Sequence, residues 1–150
     1  MEDIVRWVGE QLDTDERILR AAADELGGLP LGGEWTYDGQ YVLATHERNL
    51  VAVGSQDFMS VEIGRHIKEW DPSRVLREID AKRKLLILHR PVRRADFTES
   101  DGSPAGPMVV CHECDANTTD ADWPDTPCWT LRFLAAPYDD RPGYKEDWRP

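Results

Sequence analysis

The chain is poor in cysteine, with three in 150 residues. That is too few for the disulfide framework of a small secreted domain, so a reducing cytoplasm is the expected compartment. No apolar run approaches the roughly 18 residues that a membrane-spanning helix requires. Residues 1–7 are acidic and amphipathic and lack the form of a secretory signal. Basic side chains are scarce too: 18 Lys and Arg stand against 29 Asp and Glu, a formal net charge of −11. Simple binding to a phosphate backbone needs a surface of the other sign. The familiar catalytic signatures are also missing. There is no P-loop, no G-x-G-x-x-G, no G-x-S-x-G and no H-E-x-x-H, so the first expectation is a protein that does no chemistry of those kinds.

The charge that is present is unevenly spread. Residues 1–47 hold 11 acids and 3 bases, residues 48–90 hold 6 and 9, and residues 91–150 hold 12 and 6. The middle is therefore net positive between two negative flanks. Such runs are most often solvated faces. An acidic surface that docks on a basic partner is the functional alternative.

The apolar pattern predicts an α+β protein. Residues 2–25 read as an amphipathic helix with Ile4, Val5, Val8, Leu12, Ile18, Leu19 and Ala22 on one stripe and Trp7 beside it. The period then changes. Residues 34–37, 40–45 and 49–53 read as a three-stranded antiparallel meander, with Asp38-Gly39 at the first turn. His46 falls at a turn and is expected on the surface. A short helix is expected over 57–69. A longer one follows to about His89, with Asp71 as its N-cap, Pro72 in its first position and Val75, Leu76, Ile79, Leu86 and Ile87 on its apolar face. Residues 90–110 suggest a hairpin, and 115–125 form a polar loop without a basic residue. Thr126 and Pro127 read as the start of a last helix carrying Leu131, Phe133 and Leu134 and stopping at Pro137. Tyr144 and Trp148, four apart, are expected to clamp onto the protein rather than dangle. One integrated domain is expected, with a helix–meander–helix core over 1–90 and a metal-stapled part over 91–150.

The three cysteines carry the sharpest signal. Cys111, Cys114 and Cys128 read C-x2-C-x13-C, and 21 residues separate His89 from the first of them. Two residues between thiols let both sulfurs face one ion in a tight knuckle, and thiolate with imidazole is a common closed set for structural zinc. A knuckle followed by a ligand at a helix N-terminus resembles the treble-clef arrangement, although that arrangement usually takes two ligands from the helix. The fourth ligand is open. His89, at a helix end before Arg90-Pro91, is favoured; His112 sits inside the knuckle, where coordination would crowd the turn; water, a carboxylate or no fourth ligand are the remaining options. Three free thiols, or a Cys111–Cys114 disulfide, are the alternatives to a metal.

Three stretches carry a family likeness: residues 64–83 running into His89, the Cys111/Cys114 knuckle, and residues 127–150. Together with the first helix they resemble an uncharacterised family of actinobacteria and their phages known only as a domain of unknown function (DUF6221-like). Residues 66–83 are loosely similar to a segment of small phage accessory proteins. Where the family often has proline, this chain has Trp129. The resemblance implies a small cytoplasmic accessory protein, phage or prophage encoded, and supplies no reaction or ligand.

The functional expectation is a zinc-stabilised, acidic protein-interaction module with one structural zinc on His89, Cys111, Cys114 and Cys128. No DNA or membrane partner is expected. The alternatives are a metal-dependent nuclease or hydrolase, for instance one of His-Asn-His type drawing on His112 and Asn117, and a nucleic-acid binder using the basic helix over 72–90.

Overall fold

A computed structural model describes residues 1–24, 31–55, 59–94, 98, 102–103, 108–114 and 126–150. The fold is α+β, as expected. In chain order it has helix α1 (Glu2–Asp24), strands β1 (Trp35–Tyr37), β2 (Val42–Ala44) and β3 (Leu50–Ala52), and helices α2 (Val61–Glu69) and α3 (Pro72–Leu88). A hairpin of β4 (Pro91–Arg94) and β5 (Met108–Cys111) follows, then α4 (Trp129–Ala135) and two short 3-10 turns. Two compact units emerge, residues 13–81 and residues 1–12 with 82–150.

The unit of residues 13–81 is built on the meander. β1, β2 and β3 pair antiparallel in that order, with Trp35 opposite Ala44 and Val42 opposite Ala52. Asp38 makes the first turn: its Oδ1 accepts from the backbone N–H of Gln40 at 3.0 Å and of Tyr41 at 2.9 Å. The central strand is buried along its whole length. That is why Val42-Leu43-Ala44 reads as an unbroken apolar run rather than an alternating one. His46 is exposed, as expected.

Helix α2 starts at Val61, four residues later than the apolar pattern suggests, and residues 56–58 lie outside the described set. Ser60 is its N-cap, its Oγ accepting from the Ile63 N–H at 3.4 Å. Helix α3 is capped where the sequence says: Asp71 Oδ1 accepts from the Arg74 N–H at 2.8 Å with Pro72 opening the helix. Asp71 Oδ2 also accepts from the Trp35 N–H at 3.4 Å, and the Ser73 N–H donates to the Gly33 carbonyl at 2.8 Å. These bonds fix the start of α3 beside β1.

Gly64 is buried with the Tyr37 ring lying on its Cα, where a β-carbon would overlap the ring itself. The ring has little room to yield, because the Tyr37 hydroxyl sits 2.8 Å from the Gly39 carbonyl oxygen and 3.1 Å from that of Met59. Gly64→Ala should therefore lower stability by about 1–3 kcal/mol, the usual cost of overpacking, although alanine is the better helix former. A urea titration in which Gly64→Ala unfolds at the same concentration as the parent, or a higher one, would refute this.

In the unit of residues 1–12 and 82–150, the first turns of α1 bury Ile4, Trp7, Val8 and Leu12. The stripe was expected to run on to Ile18, which instead is 55% exposed. Periodicity says which residues share a face; covering that face takes a partner element. Ile87 is a similar correction. It sits about 100° round the helix from buried Leu86 and is exposed. Tyr144 and Trp148 do clamp onto the protein, with ring centroids 5.7 and 5.3 Å from Trp7. The last helix begins at Trp129, with Cys128 as its N-cap, so Thr126 and Pro127 precede it. It buries Leu131, Leu134 and Ala135 and leaves Phe133 outside. Pro137 does not stop the chain's winding, which continues as a 3-10 turn over Ala136–Tyr138.

Candidate metal centre

Strand register brings the first two donors together. β4 and β5 pair antiparallel with Pro91 opposite Cys111, Val92 opposite Val110 and Arg94 opposite Met108. One more backbone bond, from the His112 N–H to the Arg90 carbonyl at 2.9 Å, extends the ladder past both strands. The end of α3 therefore abuts the end of β5. His89 closes α3, its N–H bonded to the Leu85 carbonyl at 2.9 Å. The Arg90 guanidinium donates to the Ile87 carbonyl at 3.1 Å, satisfying one acceptor of the last turn.

Residues 112–114 then turn, which returns Cys114 to the side where Cys111 points. Cys128 is the extended residue before α4, with φ −64° and ψ 160°. Its carbonyl accepts the first helical bond, from the Arg132 N–H at 3.1 Å. Arg132 also donates from Nε to the Pro127 carbonyl at 3.0 Å, bracing the approach to Cys128. Sequence reasoning passed over Arg132; its place one helical turn after the cysteine was the available signal.

The outcome is one tight cluster. Nδ1 of His89 lies 3.3 Å from the Cys111 sulfur, 3.4 Å from that of Cys114 and 3.7 Å from that of Cys128. All four donor atoms fall within 4.8 Å of one another. A tetrahedral zinc, with Zn–S near 2.3 Å and Zn–N near 2.0–2.1 Å, sets N···S edges of roughly 3.5 Å. The three N···S spacings fit that polyhedron, so these residues could hold a metal ion of that size. Cys111 is buried, His89 and Cys128 are half-buried and Cys114 is the most accessible. His112, exposed in the turn, takes no part in the cluster.

The electrostatics point the same way. Burial, the nearby sulfurs and hydrogen bonding to Cys111 push the Cys114 thiol up to about 12. Burial also raises Cys128, offset in part by the Leu131 backbone N–H. Cys114 and Cys128 thus resist ionising without a cation among the sulfurs. A bound dication reverses that balance and takes the thiolates as ligands. Thiolate with imidazole is a donor set suited to zinc and poor for magnesium or calcium.

A shared role for the four residues predicts unequal effects of the two histidines. His89→Ala should abolish stoichiometric metal retention, while His112→Ala should leave it unchanged. Metal analysis after gel filtration measures both, and equal retention or a greater loss in His112→Ala would overturn the assignment.

The fold and this cluster define the class: a small α+β protein with a three-cysteine, one-histidine centre. The chain belongs to a family of unknown function, DUF6221, whose profile matches residues 1–150. No curated protein and no solved structure is similar enough to match.

Proposed function

We propose that this is a zinc-stapled accessory protein that works by docking an acidic face on a basic protein partner. The observation that carries the reading is the closed donor set. Three sulfurs surround His89 Nδ1 at 3.3, 3.4 and 3.7 Å, which leaves a tetrahedral ion no open position for water or substrate. Structural zinc sites have this form, whereas catalytic ones keep a vacancy. With chemistry assigned no place there, the formal charge of −11 becomes the most distinctive surface property. An actinobacterial or actinophage origin belongs to the same reading and rests on resemblance.

The basic helix α3 is the natural rival, as a nucleic-acid contact. Its cations are largely engaged within the protein. Arg74 stacks 4.5 Å from the Trp70 ring and pairs with Glu78 at 3.2 Å. Lys82 lies 5.7 Å from the Tyr138 ring centre, and Arg83 and Lys84 have partners of their own. Among the described residues no helix is long and apolar enough to cross a membrane.

The test has two arms. Purified protein should carry about one zinc per chain, and should neither shift duplex DNA at low salt nor cleave nucleic acid with magnesium or manganese. Nonspecific DNA binders reach Kd values of about 10⁻⁴–10⁻⁶ M even at physiological salt. Micromolar duplex binding lost in Arg74→Glu or Lys82→Glu would reject the acidic-module reading. Metal-dependent cleavage would replace it with a nuclease.

A further inference from the structure

We infer that the centre is a redox-responsive staple, in which Cys114 is the site of attack by a hydroperoxide and Cys111 closes a disulfide with it, releasing the zinc. The inference rests on the zinc reading above and adds its regulation. Three observations carry it.

The first is a difference in access within one cluster. Cys114 is exposed, whereas Cys111 is 5% exposed at the end of β5 and Cys128 is half-buried at the head of α4. A small oxidant reaches one sulfur before the others. The second is proximity. The donor atoms lie within 4.8 Å of one another, and only the turn residues His112 and Glu113 separate Cys111 from Cys114. Thirteen residues separate Cys114 from Cys128; the shorter ring costs less to close. The third is the division of donors between elements. Cys111 ends β5 and Cys114 lies in the turn just after it, His89 directly follows α3, and Cys128 caps α4. A Cys111–Cys114 disulfide removes both donors of that knuckle at once, and His89 with Cys128 is no closed set for zinc.

The chemistry balances with hydrogen peroxide as the oxidant. The Cys114 thiolate sulfur attacks one peroxide oxygen, the O–O bond breaks, and hydroxide leaves to become water with a solvent proton, giving a sulfenic acid. The Cys111 thiolate then attacks the Cys114 sulfur. The S–S bond forms, the S–O bond breaks, and the second oxygen leaves as water with another proton. Two thiolates have lost two electrons, peroxide has become two waters, and zinc departs as an unchanged dication. Thiol reductant with zinc reverses the step.

Zinc-loaded protein treated with hydrogen peroxide tests this, with a colorimetric chelator reporting free zinc and non-reducing peptide mapping reporting the cross-link. The expected result is release of the zinc together with loss of the Cys111 and Cys114 thiols, a Cys111–Cys114 disulfide, and recovery on adding dithiothreitol and zinc. Cys114→His keeps four donors without the accessible thiol and should release zinc at least about tenfold more slowly, because thiolate oxidation follows exposure. His112→Ala, outside the cluster, should release it at the parental rate. Zinc retained through peroxide, a disulfide to Cys128, or loss that reductant does not reverse would each overturn the inference while leaving the zinc reading intact. Untreated protein without zinc would overturn both.

Discussion

Cys111→Ser should purify without zinc, and its stability should fall to that of the chelated parent protein. Cys111 sits where three constraints meet: the last ladder position of β5, the turn to Cys114, and the cluster with His89 and Cys128. Serine is nearly isosteric but is a poor donor for a soft-ligand site. Binding free energy at a structural zinc site is folding free energy, of apparent size about 10–16 kcal/mol in zinc-finger peptides. A metal held there would tie the end of α3, the turn after β5 and the head of α4, while the rest of the unit has its own buried residues. A loss of several kcal/mol, still a large share of the about 5–15 kcal/mol typical of a domain, is the reasonable scale. Denaturation of parent and variant, each with and without chelator, decides the matter. Chelator should destabilise the parent and barely affect the variant. If the two effects add, Cys111 contributes by packing and not through a metal.

The same residues indicate what was legible beforehand. Local chemistry was read well: Asp71 and Pro72 mark the start of α3 because a cap acts over three residues, and Asp38-Gly39 marks a turn for the same reason. Thr126-Pro127 misled, since it offers a plausible cap by composition. The Pro127 carbonyl is taken by the Arg132 side chain, and the chain stays extended through Cys128. The cysteine spacing disclosed a knuckle and a third donor. His89 is favoured over His112 by its place at a helix end before Arg90-Pro91, but what brings it to the cysteines is the pairing of Pro91 with Cys111, a contact between strands set by register rather than by nearby sequence. Burial was the least legible property. Ile18, Ile87 and Phe133 all fit apolar expectations and all face outward, since a stripe records the face of a helix and not the presence of a neighbour.

Trp7 shows what a neighbour contributes, and Trp7→Ala should be the most damaging single change away from the metal centre. The indole is 8% exposed. It meets Tyr138, Tyr144 and Trp148 at centroid distances of 6.5, 5.7 and 5.3 Å, two of them edge-on. Aromatic pairs in such geometry contribute about 0.5–1.5 kcal/mol beyond burial. Its Nε1–H donates to the Pro142 carbonyl at 3.1 Å, and Gly143 next to it, at φ 89°, leaves the ring space that a β-carbon would fill. Alanine would leave a cavity among three rings and a carbonyl without its donor. Truncating a buried tryptophan costs about 3–5 kcal/mol, and the lost hydrogen bond about 1 kcal/mol of that order again. Trp7→Phe keeps most of the apolar contact and loses the N–H, so it should fall between alanine and parent. Since Tyr144 and Trp148 follow α4 in the chain, Trp7→Ala should also raise proteolytic cleavage after residue 138, while zinc content stays at the parental level. A stability loss below about 0.5 kcal/mol, the scale of an ordinary surface change, would mean that the carboxyl-terminal segment holds its place without Trp7.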